Sequence, residues 1–304
     1  MPKKNYGKLE EHVIDTMQRD RLFTYRDKMY EVMKVGKPRP NTPGGECKTD
    51  VFVRTKEQET EHEVDFKISV KSRESQEFQE NKMSAKTAES YFGPGWENIV
   101  IEATTSKKEE FENRALLYAS GKHPTKPNSM TVGWKLEVAS KPRALSAKIP
   151  LSDDEIREYV YRGTNQTEER RNAVVEGEVI EDSGVADYLL VTEIEDIQSA
   201  ADVVSQMERI DEMEVDDTYM IFTANNYRTD RDKADGKRPL AVRVEWQCVE
   251  DKLSPTYHYD RPLQYTGEGD MAPLAKEAMK KLGKKNVEDL NPDEDIERGD
   301  IFQP

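Results

Sequence analysis

The stretch that decides the fold reads Glu63-Val-Asp-Phe-Lys-Ile-Ser-Val-Lys71-Ser72, preceded by Gly45-Glu-Cys-Lys-Thr-Asp50-Val-Phe-Val53. In the later stretch apolar residues alternate with ionic or polar ones, as in a strand with one buried face. The apolar face comprises Val64, Phe66, Ile68 and Val70, and the other comprises Glu63, Asp65, Lys67, Ser69 and Lys71. A very polar turn separates the two stretches, which predicts two antiparallel strands. Asp50 then lies near the later part of the second strand.

A carboxylate at the start of one strand, an oxygen ligand on its neighbour and a lysine two residues further on form a candidate Mg²⁺ site. Carboxylate oxygens are the hard ligands that Mg²⁺ prefers. The metal helps to deprotonate water and stabilises the charge of a phosphoryl transition state. The lysine positions the attacking water or neutralises the same charge. An ordinary charged strand on a sheet surface is the alternative interpretation.

This arrangement resembles the PD-(D/E)XK nuclease superfamily, in which an aspartate opens one strand and (D/E)-x-K lies on the next. Lys48-Thr-Asp-Val51, Ile68-Ser-Val-Lys-Ser72 and the following Gln76-Glu-Phe-Gln-Glu-Asn81 resemble its restriction-endonuclease branch. The resemblance covers roughly 50 residues, with the family's short motif at its centre. It implies an α/β fold with a mixed central sheet flanked by helices. It also implies Mg²⁺-dependent hydrolysis of DNA phosphodiester bonds, in which Mn²⁺ substitutes for Mg²⁺.

Two registers of the family motif compete on the second strand. Asp65-Phe-Lys67 fits the literal D-x-K pattern, whereas Ser69-Val-Lys71 places serine where a carboxylate belongs. We favour Lys71 as the catalytic lysine, because the end of a strand exposes the pair to substrate. Asp50, Lys71, Asp65, Lys67 and Ser69 are therefore the candidate catalytic residues.

The resemblance gives Asp50, Asp65 and Glu46 as candidate metal ligands. Two departures from the family pattern matter: no proline precedes Asp50, and Ser69 is a weak metal ligand. If Ser69 occupies the second position, Glu46, Glu10 or Glu77 supplies the missing carboxylate, or the site is inactive.

The charge distribution separates the two halves of the chain. The 304 residues carry 46 Lys and Arg against 61 Asp and Glu, for a net charge of −15. Residues 1–150 hold 27 cationic against 23 anionic residues, and residues 151–304 hold 19 against 38. Phosphate binding depends on local cationic charge, so a mildly basic first half is compatible with DNA as a partner.

The remaining composition bounds the environment of the protein. No apolar run approaches the roughly 20 residues of a membrane span, and the start lacks the apolar segment of a secretory signal. Cys47 and Cys248 fit no metal-ligand spacing and are expected as free thiols. We expect a cytoplasmic protein of a prokaryotic cell or its phage, without a membrane partner. A homodimer is an open alternative, since a palindromic target implies twofold symmetry.

The pattern of elements predicts a nuclease core over residues 1–118 and an accessory α+β region over 119–304 that contributes specificity or oligomer contacts. Helices are predicted over 9–35, with a break near Phe23-Thr24 as an alternative, and over 75–91, 96–117, 153–161, 197–209 and 272–282. Further strands are predicted over 131–138, 188–194, 219–224 and 240–249. Alternatively, the strands at 188–194 and 219–224 complete the core sheet and leave the middle as an insertion. The acidic tail at 291–297 is expected to be solvated.

Three other segments are candidate sites. The stretch 107–150 is the most basic, with His123 and Trp134 among its lysines, and is either a DNA-backbone surface or a solvated region. Asn225 to Lys233 either reads base edges or is a polar turn. Asp211 to Asp217 lacks the glycine and spacing of a calcium loop and is interpreted as a solvated connection.

Two other functions compete with the nuclease hypothesis. A non-enzymatic interaction protein, such as a DNA mimic or an anti-defence protein, would use its acidic half to bind a basic partner. An inactive nuclease-like subunit would bind DNA without cutting it.

Overall fold

The computed structural model describes residues 7–43, 45–74, 77–80 and 82–304. Its α-helices are α1 (Gly7–Asp20), α2 (Ala85–Phe92), α3 (Trp96–Ser106), α4 (Lys108–Glu112), α5 (Asp153–Glu155), α6 (Glu168–Arg171), α7 (Ala200–Gln206) and α8 (Ala272–Lys281). The π-helical segments are Ile156–Arg162 and Gly267–Met271, and the 3-10 turns are Ile194–Asp196, Val287–Asp289 and Gly299–Ile301.

The strands are β1 (Leu22–Tyr25), β2 (Lys28–Gly36), β3 (Val51–Glu57), β4 (Glu63–Ser72), β5 (Phe78–Glu80), β6 (Leu117–Tyr118), β7 (Ser129–Ala139), β8 (Ser146–Lys148), β9 (Ala173–Val175), β10 (Glu178–Ile180), β11 (Tyr188–Thr192), β12 (Met207–Arg209), β13 (Tyr219–Arg228), β14 (Lys233–Ala234), β15 (Val242–Val249), β16 (Lys252–His258) and β17 (Phe302–Gln303).

The chain forms two compact units. The first comprises residues 1–79, 90–93 and 151–216, and the second comprises 80–89, 94–150 and 217–304. The predicted core (1–118) and the predicted accessory region (119–304) thus each contribute to both units. The reason is strand pairing: residues after 150 return to the first unit and add β11 beside β4. Of the two strands that the alternative interpretation added to this sheet, β11 pairs with β4, whereas β13 lies in the sheet of the second unit.

The first unit is built on a six-stranded mixed sheet in the order β1-β2-β3-β4-β11-β12. Neighbouring strands are antiparallel except β4 and β11, which are parallel. One face of the sheet packs against α1 and α7 in a single apolar core that includes Val13, Phe66, Leu190 and Val203. On the opposite face Phe52 packs with Val175 and Ile180 of the β9–β10 hairpin. With both faces covered, the functional groups of this sheet are confined to its ends.

The second unit is built on a nine-stranded sheet whose main path is β14-β13-β7-β15-β16. The long central strand β7 is buried along almost its whole length. It pairs antiparallel with β13 through a bulge at Asn225 and Asn226. Phe111 contacts Trp134 and Phe222 at ring-centroid distances of 4.9 and 5.3 Å. The predicted α/β class, with mixed sheets flanked by helices, is confirmed.

The first predicted helix is too long. The structure ends α1 at Asp20 and forms the β1–β2 hairpin where helix was predicted up to residue 35. Met29 and Met33 were interpreted as helical because they lie four residues apart, but that spacing is also a multiple of the strand period. Both are exposed, while Tyr30 and Val32 are buried between them. Alternation along β2 therefore decided its conformation.

Two other predicted segments also differ from the structure. Within the predicted helix 75–91, β5 (Phe78–Glu80) and the shorter α2 are found, and residues 75, 76 and 81 lie outside the described ones. The tail predicted to be solvated, 291–297, is packed in part: Ile296 is buried, and Asp295 accepts a hydrogen bond from the backbone N–H of Asn291 and forms an ion pair with Lys284. Burial of Ile296 outweighs the polarity of the tail locally, while residues 291, 293, 294 and 297 are exposed.

Candidate active site

Asp50 lies immediately before β3, and two hydrogen bonds from β4 orient its carboxylate. Its Oδ2 accepts from the backbone N–H of Val70 at 2.7 Å and from the hydroxyl of Ser69 at 3.3 Å. The backbone N–H of Asp50 donates to the carbonyl of Ile68 at 2.9 Å. Among the residues that the structure describes, none donates a hydrogen bond to Oδ1. One oxygen of this carboxylate is therefore held, and the other is available.

Strand register decides which part of the family motif meets Asp50. Val51 pairs with Ile68 and Arg54 pairs with Asp65 across β3 and β4. Continuing this register places Asp50 opposite Ser69, as the hydrogen bond between them shows. Asp65 lies four residues earlier on β4, or roughly 13 Å away along the strand. The structure brings Ser69 to Asp50 and does not bring Asp65 there.

The side chains of the literal D-x-K pattern are engaged in ion pairs. Asp65 binds Arg54 in a bidentate pair, with both N···O distances at 2.9 Å. Lys67 Nζ lies 3.0 Å from Asp187, which also binds Arg162 at 2.9 Å. Bidentate pairing with arginine is a strong and geometrically specific contact. These residues therefore hold neighbouring segments of the first unit together.

Lys71 differs from Lys67 in having no such partner. It forms no hydrogen bond or ion pair with any residue in the described part of the chain, and it is half-buried near the end of β4. Its positive charge is the strongest of the influences that lower the pKa of Asp50. Of the two lysines, Lys71 is thus the one whose charge acts on Asp50 and that has no ion-pair partner among the described residues.

The first turn of α1 supplies a second carboxylate. Glu10 is half-buried, with 15% of its side chain exposed, and it forms an ion pair with Lys37, which follows β2. Burial raises the pKa of Glu10, and the negative charge of Asp50 raises it further. Glu10 is therefore the helper carboxylate that the structure places in the electrostatic neighbourhood of Asp50.

Glu46 lies in the loop before Asp50 and follows Gly45, whose backbone conformation strongly favours glycine. Gly45 has φ +80°, and a Cβ there would lie 1.8 Å from the guanidinium of Arg170. Glu46 is exposed, and its charge adds to that of Asp50 in raising the pKa of Glu10. Farther along the loop, the backbone N–H groups of Lys48 and Thr49 donate to the carbonyl of Gly184. The third helper candidate, Glu77, lies in the turn before β5.

The ionisation of the site is dominated by burial. Desolvation raises the pKa of Asp50, and the charges of Lys71 and Lys37 with the bonds from Val70 and Ser69 oppose it. Burial likewise raises the pKa of the free thiol of Cys47 to about 12, so that it is not a nucleophile at neutral pH. Carboxylates close together and partly desolvated are arranged to accept a cation.

Residues missed by the sequence analysis are cationic. Lys37 and Arg170 border the site, and Lys48 donates to the hydroxyl of Tyr91 at 2.7 Å. Lys37 is the one with a signal in the sequence, since it begins the loop rich in proline and glycine that leads to Gly45. Arg170 is 120 positions from Asp50, and no local pattern connects the two.

The donor set at Asp50 was compared with the needs of Mg²⁺. No group of three His, Cys, Asp or Glu suited to hold a metal occurs among the described residues. Mg²⁺ commonly uses only one or two protein carboxylates and completes its sphere with water and substrate phosphate. The available oxygen of Asp50 and the carboxylate of Glu10 meet that smaller requirement once Lys37 releases Glu10.

Two of the other candidate segments, Asn225 to Lys233 and the basic stretch 107–150, belong to the second unit. Asn225 and Asn226 are buried at 0% and 6% exposure, so they do not form an exposed base-reading loop. Asp211 to Asp217 belongs to no metal-binding group among the described residues. His123, Trp134 and Lys135 of the basic stretch line one cavity in the second unit. No helix in the described ranges is long and apolar enough to cross a bilayer.

Comparison of the chain with protein-family models, with curated proteins and with solved structures finds no match.

Proposed function

We propose that the protein is a Mg²⁺-dependent endonuclease that hydrolyses phosphodiester bonds of DNA, of a restriction or phage type. The observation that carries the proposal is the convergence of four side chains at one end of β4. Asp50 is bound by Ser69, burial raises its pKa while the charge of the unpaired Lys71 opposes that rise, and it lies in the electrostatic neighbourhood of Glu10. The mixed sheet with α1 and α7 against one face is the kind of core that the family resemblance implies.

In this proposal Asp50 and Glu10 hold the metal, and Mn²⁺ substitutes for Mg²⁺. Bound there, the ion lowers the pKa of a ligand water and stabilises negative charge on the phosphate. The bonds from Val70 and Ser69 fix Asp50 before substrate arrives, so little reorganisation is needed. The exposed Glu46 is available as a further ligand through water.

Lys71 acts on the reacting phosphate in this proposal. An ammonium group without a protein partner can bind a phosphate oxygen or orient the attacking water without first breaking an ion pair. Lys67 lacks this freedom because it is paired with Asp187 at 3.0 Å. Lys37 has a second task, because it neutralises Glu10 in the absence of metal and becomes available to phosphate when the metal binds.

The overall charge of the first unit restricts how DNA is held. The unit has 21 Lys and Arg against 35 Asp and Glu, whereas the second unit has 25 against 26. Residues 151–216, which return to the first unit, carry 5 cationic against 20 anionic residues. The expectation of a mildly basic nuclease unit therefore does not hold. In this proposal, contacts to the phosphate backbone of DNA come from local cations such as Lys37 and Lys71, or from the second unit.

Cleavage of supercoiled plasmid and mixed-sequence linear DNA tests the proposal. Wild-type protein is incubated with Mg²⁺, Mn²⁺ or EDTA beside Asp50→Asn and the control Asp65→Asn, which keeps an oxygen acceptor for Arg54. Metal-dependent cutting lost in Asp50→Asn and kept in Asp65→Asn supports the proposed site. Equal cutting by all three proteins contradicts it.

The acidity of the first unit favours a second candidate function, in which this unit binds a basic protein without catalysis. Its net charge of −14, from 21 cationic and 35 anionic residues, is concentrated in residues 151–216. Such a protein would bind a basic DNA-binding partner in a salt-sensitive way and would not bind DNA. Absence of cutting and of DNA binding, together with salt-sensitive capture of a basic DNA-binding protein, would support it.

A further inference from the structure

A cavity of about 660 Å³ lies within the second unit, against the central strands β7 and β13. Its lining includes Arg114, Tyr118, Lys122, His123, Lys135 and Glu137. The volume is within the usual range of small-molecule sites, roughly 300–1,000 Å³. Four of the six side chains are cationic or become so on protonation, which selects for an anionic occupant.

Lys135 is the decisive residue of the cavity. It lies mid-strand in β7 and is only 8% exposed, yet it makes no hydrogen bond or ion pair within the described residues. Desolvation, together with the charge of Arg238, lowers its pKa. An ammonium group that has lost part of its water and has no hydrogen-bond partner is costly, and the charges of Glu137 and Asp235 offset only part of that loss, since the pKa of Lys135 stays lowered. An anion in the cavity would supply the missing partner.

The two carboxylates nearby are already engaged with other groups. Glu137 accepts hydrogen bonds from Arg238 at 3.1 Å and from the hydroxyl of Thr223 at 3.2 Å. Asp235 accepts from the backbone N–H of Asn226 at 3.3 Å and from its side-chain amide at 3.2 Å. Both carboxylates are therefore oriented by other partners, and Lys135 retains its capacity to bind a ligand.

The strand register puts suitable groups next to Lys135. Thr223 of β13 lies directly opposite Lys135, so both project from the same face of the sheet. Glu137, two residues along β7, shares that face. The face thus presents an ammonium donor and a hydroxyl side by side, with Lys122 and His123 contributed by the loop before β7.

We propose that this cavity binds a phosphate group carried by a nucleotide, with Lys135 as its principal cationic contact. A phosphate offers several oxygens to Lys135 and the loop cations at once, and one to the Thr223 hydroxyl when that group turns from Glu137. The cavity is much larger than a phosphate ion, which leaves space for the sugar and base beside Tyr118. The assignment of this phosphate to a nucleotide rests on the proposed nuclease function. The binding of a phosphate group by the cavity is independent of that function.

A nucleotide phosphate can reach the cavity from two sources. One is a free mononucleotide. The other is a nucleotide within a DNA strand, either at an end that carries a 5′-phosphate or turned out of the helix. Direct binding measurements separate them. The ligands are inorganic phosphate, thymidine, thymidine 5′-monophosphate, and one oligonucleotide with and without a 5′-phosphate. All titrations use the full chain carrying Asp50→Asn in EDTA, so that their outcome does not depend on cleavage.

We expect the monophosphate to bind at least 10-fold more tightly than thymidine or inorganic phosphate, and Lys135→Met to weaken it at least 10-fold. Lys281→Met, at an exposed position of α8, is the matched control and should bind as the parent does. Preference for the phosphorylated oligonucleotide over the monophosphate identifies a strand end, and the reverse preference identifies a free nucleotide. Equal binding by Lys135→Met overturns the proposal, and equal affinity for inorganic phosphate overturns its nucleotide part.

A measurement on unsubstituted Lys135 covers the case in which Lys135→Met does not fold. Reductive methylation of the protein, followed by peptide mass spectrometry, reports the accessibility of each lysine. Thymidine 5′-monophosphate should protect Lys135 and leave Lys281 unchanged. Unchanged methylation of Lys135 at saturating nucleotide contradicts the proposal.

Discussion

The hydroxyl of Ser69 lies 3.3 Å from Oδ2 of Asp50, at the position where the motif of the nuclease superfamily that the sequence resembles has a second carboxylate. A carboxylate in that place would repel Asp50 in the absence of metal, whereas the hydroxyl donates to it. Asp50 is consequently fixed by its neighbours on β4 before any ligand arrives, and in the proposed site the second acidic group is Glu10 of α1. The predictions below depend on this arrangement.

Substitution of the two lysines of β4 distinguishes the two registers. Lys71→Met should lower the cleavage rate by about 10²-fold or more, the usual effect of losing one preorganised charge at a phosphoryl centre. Lys67→Met should cut within a few-fold of wild type, because Asp187 keeps its bond to Arg162 at 2.9 Å. Initial rates on plasmid, measured at equal folded concentration, decide between them. Loss of cleavage in Lys67→Met alone would favour the Asp65-Phe-Lys67 register instead.

Asp50→Asn should stabilise the metal-free protein while it abolishes cleavage. Burial raises the pKa of Asp50, so the folded state favours the protonated form. The stability associated with that protonation is present below the unfolded-state pKa and is lost as the pH rises through the folded value. The Tm of the variant in EDTA at pH 8 should therefore exceed that of wild type, by about 2 °C for each 1 kcal/mol of added unfolding free energy. The increase in Tm should be smaller at pH 5.

The change in Tm on addition of Mg²⁺ is the control for this effect of Asp50→Asn on stability. Because binding to the folded state stabilises it, Mg²⁺ should raise the Tm of wild type and of Asp65→Asn but not that of Asp50→Asn. Scanning calorimetry with and without the ion measures all three. A lower Tm of Asp50→Asn in EDTA at pH 8 would show that Asp50 is not a destabilising buried charge.

Glu10 is expected to act as the second metal ligand. Glu10→Gln should raise the Mg²⁺ concentration needed for half-maximal cleavage by roughly 10–100-fold, because one of two carboxylates is lost. Glu11→Gln is the matched control, since Glu11 is the next residue of α1 and is exposed. Titration of cleavage against Mg²⁺ compares them. An unchanged requirement in Glu10→Gln would leave the metal to Asp50 and the exposed Glu46.

Gly45→Ala should destabilise the protein by about 1–3 kcal/mol. The substitution places a side chain at φ +80° and displaces the guanidinium of Arg170. Gly177→Ala is the control for conformation alone: its φ is +83°, and a Cβ there meets no atom within 4 Å. The control should cost about 1 kcal/mol. Urea unfolding measures both, and equal losses would mean that Arg170 moves aside without cost.

Several features of the first unit were predictable from local sequence. Alternation identified β4 and its apolar face, and Val64, Phe66, Ile68 and Val70 are indeed directed into the core beside α1 and α7. This prediction holds because a strand's side chains alternate whatever surrounds it. The structure places Ser69 at Asp50, and the catalytic role of Lys71 in the Ser69-Val-Lys71 register stays a prediction.

The charge argument from the sequence failed for a reason that is equally physical. Dividing the chain at residue 150 gave a basic and an acidic half, but β11 pairs with β4 and returns residues 151–216 to the first unit. The net charge of a continuous stretch of sequence differs from the net charge of a folded unit when that unit includes strands from distant parts of the chain. The same return of the chain brings Arg170 over Gly45.

The sequence by itself determined the β3–β4 hairpin, its apolar face and the candidates Asp50 and Lys71, because these follow from residue spacing of two along adjacent strands. Only the tertiary structure decided that Asp65 and Lys67 are held in ion pairs with Arg54 and Asp187. It alone placed Glu10 and Lys37 near Asp50 and left Lys135 unpaired against a cavity. Ion pairing and burial depend on which distant segments meet, and no local pattern encodes that.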